Sequence, residues 1–254
     1  MPEGDTIAWA ANRIRPALVG RIPDEILTPQ PRHAMDRWPE RLAGRTVERV
    51  DTHGKHLFVR FEGGLTLHSH LGMVGYWRVA TERRPWRGAW VIFRVDHRWV
   101  GEFNGPLLEL MTDARLRSDR RLAGLGPDVL AELFDGERYL ARLHADDPTR
   151  GFADALLDQG NVAGLGNIWK AEGCWEAAID PWRALATITD AEALAVIEAV
   201  RPRMQRSAAR GPRTIGPRVY KKTGQPCPRC GGTITARGQG DANRTTYWCP
   251  QCQR

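Results

Sequence analysis

Residues 227–230 read Cys-Pro-Arg-Cys and residues 249–252 read Cys-Pro-Gln-Cys, with 18 residues between the two pairs. Two C-x2-C knuckles at this separation bring four thiolates onto one ion from two tight turns, a tetrahedral and closed zinc site. A redox pairing needs a βαβ surround, and the tail has none. Four thiolates leave no open coordination position, so Cys227, Cys230, Cys249 and Cys252 predict one structural Zn²⁺. A module of this size lacks the core to fold without its metal. Between the knuckles, Thr233–Thr235 and Thr245–Trp248 are β-rich and predict a hairpin, with Arg237 and Arg244 flanking its turn. The fifth cysteine, Cys174, stands alone in a helical stretch and reads as a packed thiol.

Charge concentrates around the same segment. The 254-residue chain carries 37 Lys/Arg against 30 Asp/Glu. Residues 201–254 hold 12 basic residues and the single acid Asp241, whereas residues 1–200 hold 25 basic against 29 acidic. A basic tail on a nearly neutral body points to a polyanionic partner, nucleic acid ahead of membrane. No apolar run approaches the roughly 18–20 residues that span a bilayer. The opening Met-Pro-Glu-Gly-Asp-Thr has two acids and no apolar core, unlike a secretory signal. A cytoplasmic, nucleoid-associated protein without membrane contact is expected.

Upstream, the hydrophobic period divides the rest of the chain. Ile7, Ala11, Ile14 and Leu18 fall at steps of three and four, predicting a helix from Asp5 to Gly20. From Arg45 the period becomes two: Leu57, Val59 and Phe61, a Gly63-Gly64 turn, then Leu65 and Leu67. Tyr76–Val79, Ala89–Val95 and Trp99–Phe103 continue in the same manner. After Gly124-Leu-Gly-Pro127 the helical period returns, with helices predicted over Asp128–Leu133, Glu137–Leu143, Phe152–Asp158, Asn167–Trp175 and Ala191–Met204. The expected domains are 1–117, a β-sheet domain with an N-terminal helix; 118–127, a linker; 128–215, helical; and 216–254, the zinc module.

Four short motifs occur in a specific order: Met1-Pro2-Glu3-Gly4, Gly54-Lys55, Gly164-Leu165-Gly166-Asn167, and the ribbon ending Tyr247-Trp248-Cys249-Pro250-Gln251-Cys252. In this order, and over essentially the whole chain, they resemble the formamidopyrimidine-DNA glycosylase/endonuclease VIII family, with the start and the short segment 208–219 closer to the endonuclease VIII branch. The resemblance implies an α+β multidomain fold: an N-terminal β-sandwich with its helix, a helix–two-turn–helix domain, and a four-cysteine zinc-ribbon finger. It implies a bifunctional DNA glycosylase and abasic-site lyase of base excision repair, with oxidised pyrimidines the favoured lesions. The partner would be damaged DNA, duplex or single-stranded, bound by a monomer.

By that resemblance Pro2, once Met1 is removed, is the nucleophile. Its secondary amine has an ordinary pKa of about 8 before burial lowers it, so a neutral fraction exists at physiological pH. Glu3 is the proton shuttle beside it. Lys55 corresponds to a catalytic strand-turn lysine that holds phosphate beside the lesion and assists catalysis, His70 to a phosphate-contacting group, Asn167 to a phosphate-binding residue at a helix N-terminus, and Arg244 to a further clamp from the zinc hairpin. Met73 occupies the family's wedge position, which fills the gap left by an extruded nucleotide. Gly72 and Val74 bring no aromatic or polar partner to it, and Thr6 stands where the branch often has an acid. Pro2, Glu3 and Lys55 separate this reading from the alternative of a non-catalytic zinc-ribbon DNA-binding protein, which needs none of them.

Overall fold

A computed structural model of the chain describes residues 2–82, 86 and 88–254. It contains two compact units, residues 1–123 and 124–254.

The first unit opens with helix α1 (Gly4–Leu18), followed by β1 (Glu25–Leu27) and two short helices, α2 (Pro31–Ala34) and α3 (Trp38–Leu42). Strands β2 (Val47–His53), β3 (His56–Phe61) and β4 (Leu65–His70) come next, then β5 (Tyr76–Ala80), β6 (Ala89–Val95), β7 (Arg98–Phe103) and β8 (Leu107–Thr112). They build two four-stranded antiparallel sheets, ordered β2-β3-β4-β8 and β1-β6-β7-β5. Leu57, Val59, Phe61 and Leu67 of one sheet meet Trp77, Val91, Phe93 and Val100 of the other. The Phe61 and Phe93 rings lie 5.9 Å apart. The stripe Ile7, Ala11, Ile14 and Leu18 is buried in the same core, which is why α1 forms and where it docks. Truncating Ile14, with no exposed surface, removes about 2–5 kcal/mol.

The sandwich ends at Thr112 rather than near Arg117, because the Thr112 side chain accepts a hydrogen bond from Arg115 N and caps α4 (Asp113–Ser118). Residues 118–127 contain a further short helix, α5 (Arg120–Ala123), so that stretch is not wholly irregular.

The second unit comprises α6 (Gly136–His144), α7 (Phe152–Ala155), α8 (Asn167–Glu176), α9 (Asp190–Arg210) and a hairpin of β9 (Thr235–Gln239) and β10 (Arg244–Trp248). Residues 128–133 are turns, not the expected helix: the Asp128 carboxylate accepts from Leu130 N at 2.9 Å, an Asx turn that competes with helix. α9 runs past Met204 to Arg210, starting from a complete capping box between Thr189 and Glu192. α8 packs closely on α9, where a Cβ on Gly173 would lie 2.8 Å from both Val196 and Val200 side chains.

Glu172, fully buried on α8, accepts hydrogen bonds from Arg203 Nη1 at 2.8 Å and from the backbone N–H groups of Arg218, Val219 and Tyr220. One carboxylate thus ties α8 to α9 and fixes the segment leading into the zinc module.

Candidate functional site

Strand pairing gathers the first unit's candidates at one end of the sandwich. Arg15 Nη2 donates to the Val50 carbonyl and Gly20 N to Val47, so the end of α1 sits at the start of β2. The first turn of α1 therefore points toward the far end of β2, where the two-residue Gly54-Lys55 turn joins β3. Gly54 has φ +57 at the first central position, a conformation such a hairpin turn requires. His56 pairs with His70, and His70 with Leu107, which brings the ends of β4 and the start of β8 to the same place.

Pro2 is half-buried just before α1, and Glu3 is 1% exposed. Glu3 occupies the N-cap position in an extended conformation but makes no side-chain cap bond. At this position the positive end of α1 would disfavour protonation of a freed Pro2 amine.

Lys55 is half-buried at the turn. Burial, and then the Lys55 charge, hold the His70 imidazole below its ordinary pKa. Gly72 N donates to His70 Nδ1 at 3.2 Å. An imidazole neutral and accepting at Nδ1 carries its proton on Nε2, where it can donate to a phosphate oxygen.

The sequence reading missed the two histidines behind it. His56 Nδ1 lies 2.8 Å from His68 Nε2, and the His56 and His70 rings are 4.9 Å apart. Burial, reinforced by the neighbouring histidines, pushes His56 down to about 3; burial likewise lowers His68 to about 4. The signal was His68-x-His70 on β4 opposite the single His56 of β3, but the sequence alone does not reveal that these strands pair in this register or that His68 is fully buried.

Met73 projects from the β4–β5 loop, 59% exposed beside Val74 at 70%. Gly75 N closes the loop on the Leu71 carbonyl at 2.8 Å.

In the second unit Asn167 is the first residue of α8. Its Nδ2 donates to the Thr245 carbonyl at 2.8 Å, while its buried Oδ1 has no hydrogen-bond partner. The side chain therefore holds β10 directly beside Arg244, which is exposed at the strand's start. Buried Lys170 adds a second tie, donating to Thr246 Oγ1 at 2.7 Å. Sequence reading missed this lysine because a single Lys in a helix ordinarily lies in solvent. Arg237 lies inside β9 rather than beside the turn, and its guanidinium covers the Trp182 ring at 3.9 Å.

The four predicted cysteines converge, their sulfurs all within 4.8 Å of one another. Cys227 and Cys252 Sγ lie 3.7 Å apart, and Cys230 and Cys249 Sγ 3.5 Å. A tetrahedral Zn–S₄ site with bonds of about 2.3 Å has sulfurs about 3.8 Å apart, so the residues fit the ion. Trp175 Nε1 donates to Cys227 Sγ at 3.3 Å and orients that ligand from α8.

Residues 1–123 match the formamidopyrimidine-DNA glycosylase N-terminal domain, residues 125–218 the H2TH domain of the same enzymes, and residues 224–254 the zinc finger found in FPG and IleRS. The chain belongs to the formamidopyrimidine-DNA glycosylase/endonuclease VIII family. As a member it is a DNA glycosylase and abasic-site lyase of base excision repair with one structural zinc. Its relatives in the family include a probable endonuclease 8 2 of Streptomyces coelicolor, 39% identical over all of this chain and 94% of that one. Another is the DNA-(apurinic or apyrimidinic site) lyase Nei2 of Mycolicibacterium smegmatis, 37% identical over 100% of this chain and 99% of that one. Among solved structures, Lactococcus lactis Fpg bound to DNA containing N7-benzyl-Fapy-dG superposes with TM-score 0.84 at 24% identity, covering 100% of both chains. Among the described residues, no helix is long and apolar enough to cross a membrane.

Proposed function

We propose that this glycosylase–lyase excises oxidised bases, pyrimidines foremost, and cuts the strand by β,δ-elimination through an imine on Pro2. The observation that carries the reading is the pairing of Pro2, half-buried at the positive end of α1, with a buried Glu3 that does not cap the helix. Names among the relatives, endonuclease 8 and abasic-site lyase, support it.

Removal of Met1, a residue outside the described ones, frees the Pro2 nitrogen. Its lone pair attacks C1′ of the damaged nucleoside; the N–C1′ bond forms and the glycosidic bond breaks, the base leaving with its electron pair and a proton. Glu3 protonates O4′ as the sugar ring opens, leaving an iminium. That electron sink acidifies C2′, whose proton is lost as the 3′ phosphate departs; a second elimination releases the 5′ phosphate. Lys55 and His70 hold phosphate beside the reacting sugar, and Met73 enters the base stack. Asn167 and Arg244 serve the DNA backbone from the second unit, Asn167 by fixing β10 and Arg244 by direct contact. The protein acts as a monomer at the nucleoid, on damaged duplex or single strands.

Borohydride reduction during turnover of DNA carrying an oxidised pyrimidine traps a covalent protein–DNA adduct. Processed protein that cleaves such DNA yet yields no adduct rules out the imine.

A further inference from the structure

Glu102 lies on β7 at the active-site end of the sandwich, one residue before the strand stops. It has no exposed surface, and its carboxylate, close to the Gly105 amide, makes no side-chain hydrogen bond or ion pair. A buried anion with so little compensation is costly enough that the group takes a proton instead. Burial, offset in part by the nearby Gly105 amide and by Arg32, pushes the carboxyl up to about 8. The mechanism above does not use it.

Its surroundings connect it to the loop that carries Met73. The place a Cβ on Gly105 would occupy is 1.9 Å from Glu102 Oε1 and 3.3 Å from the His70 carbonyl oxygen. The carboxyl group and the end of β4 thus press on one face of the same glycine. On the loop's side, Gly75 abuts Gly105, with its Cβ position 2.8 Å from Gly105 Cα. Gly72, at φ +56, abuts the Pro106 ring, with its Cβ position 2.6 Å from Pro106 Cγ. Both glycines of the segment Leu71–Gly75 therefore rest on the turn Asn104-Gly105-Pro106, and that turn rests on Glu102. The charged group acting on Glu102 is Arg32 of α2; His70 of β4 has Lys55 beside it, and α1, a helix packed on β5 and β7, has Glu3 and Asp5 buried at its start.

We propose that Glu102 is a positioning residue for base excision, its buried carboxyl group setting the height of the Asn104–Pro106 turn and thereby the reach of Met73 into the duplex. It acts through Gly105 and touches no substrate. The inference rests on reading Leu71–Gly75 as the segment that enters DNA.

Two substrates separate this role from general support of the fold. A damaged base in duplex must be displaced by the loop before it is cut; a preformed abasic site offers no base to displace. Glu102→Leu and Gly105→Ala, whose new methyl strikes the carboxyl, each lower excision of the damaged base by about tenfold or more, as small misplacements near a site do. Cleavage at the preformed abasic site, zinc content and melting temperature change little. Glu102→Gln, with the same shape and an N–H donor, restores excision. In the Glu102→Ala/Gly105→Ala double variant the methyl occupies the vacated space, so the defects compensate rather than add. Equal losses on both substrates, additive defects, or no loss at all overturn the proposal. Infrared spectra of wild type and Glu102→Gln give a measurement independent of variant folding: a protonated-carboxyl band at pH 7 in wild type, lost in E102Q. No such band in wild type rejects the neutral acid. Met73→Ala distinguishes the two readings. If it lowers excision while the Glu102 and Gly105 variants do not, only the role of Glu102 fails; if it has no effect, the loop reading fails first.

Discussion

One buried glutamate in each unit is treated in the opposite way. In the second, Glu172 is buried completely and its carboxylate meets Arg203 and three backbone N–H groups. Lys170, equally buried, donates to Thr246, which in turn donates to Gln239. In the first, Glu102 has no ion pair or side-chain hydrogen bond, the Nδ1 of His68 is buried without a partner, and His56 and His68 are driven neutral. Satisfied networks hold a structure; groups kept short of partners are where a fold stores reactivity and proton control. By this contrast Glu172 and Lys170 are structural ties, whereas Glu102 and the histidine pair are placed for proton control; in the second unit Asn167 Oδ1, buried without a partner at the start of α8, is an exception to the satisfied pattern.

The largest test of that contrast is Glu3→Gln. Loss of the proton shuttle lowers base excision by about 10²–10⁴-fold, while urea unfolding stays near wild type. A large stability loss with it would place Glu3 among the structural groups and break the contrast. Glu172→Ala is the mirror image. It strands the Arg203 charge and three amides, and denaturant unfolding of the full chain falls by about 3–5 kcal/mol. An unchanged midpoint would contradict the network's structural role.

Acidity sharpens the comparison within the first unit. His56 and His68 have folded pKa values of about 3 and about 4 against an ordinary 6.5. As pH falls below 6.5 an unfolded chain takes up protons that the folded unit refuses, so stability drops progressively toward pH 3. Glu102 works in the opposite sense. From pH 4.5 to about 8 an unfolded chain releases a proton the folded unit keeps, so stability falls as pH rises. Melting curves from pH 4 to 9 show both limbs; His68→Phe flattens the acid one and Glu102→Gln the alkaline one. Identical profiles in the variants would remove these groups from the account.

The smallest effect is at Arg244, exposed and without a structural load. Arg244→Ala weakens binding to lesion and undamaged DNA alike and reduces the salt slope by about 0.9. A loss confined to lesion DNA would make Arg244 a reader of damage rather than of backbone.

Periodicity and spacing in the chain were enough for α1, the sandwich strands β3 to β7, α6, α8 and the zinc ligands, because each depends on local pattern: a 3.6- or 2-residue apolar repeat, or two knuckles on one ion. Pro2 and Glu3 needed the family resemblance, since a proline after methionine has no chemical signature of its own. The short β1, α2 and α3, the turns at 128–133 and the extension of α9 were not legible, because single hydrogen bonds and distant packing decide them. Nor could the linear chain reveal that Asn167 spends an amide proton on Thr245, that Lys170 is buried, or that Glu102 lies beneath Gly105. Those facts depend on which strand or helix lies opposite, a matter of register and burial between residues far apart in sequence. Burial then fixes protonation, and so the tertiary structure alone determined which of the many acids and histidines are neutral.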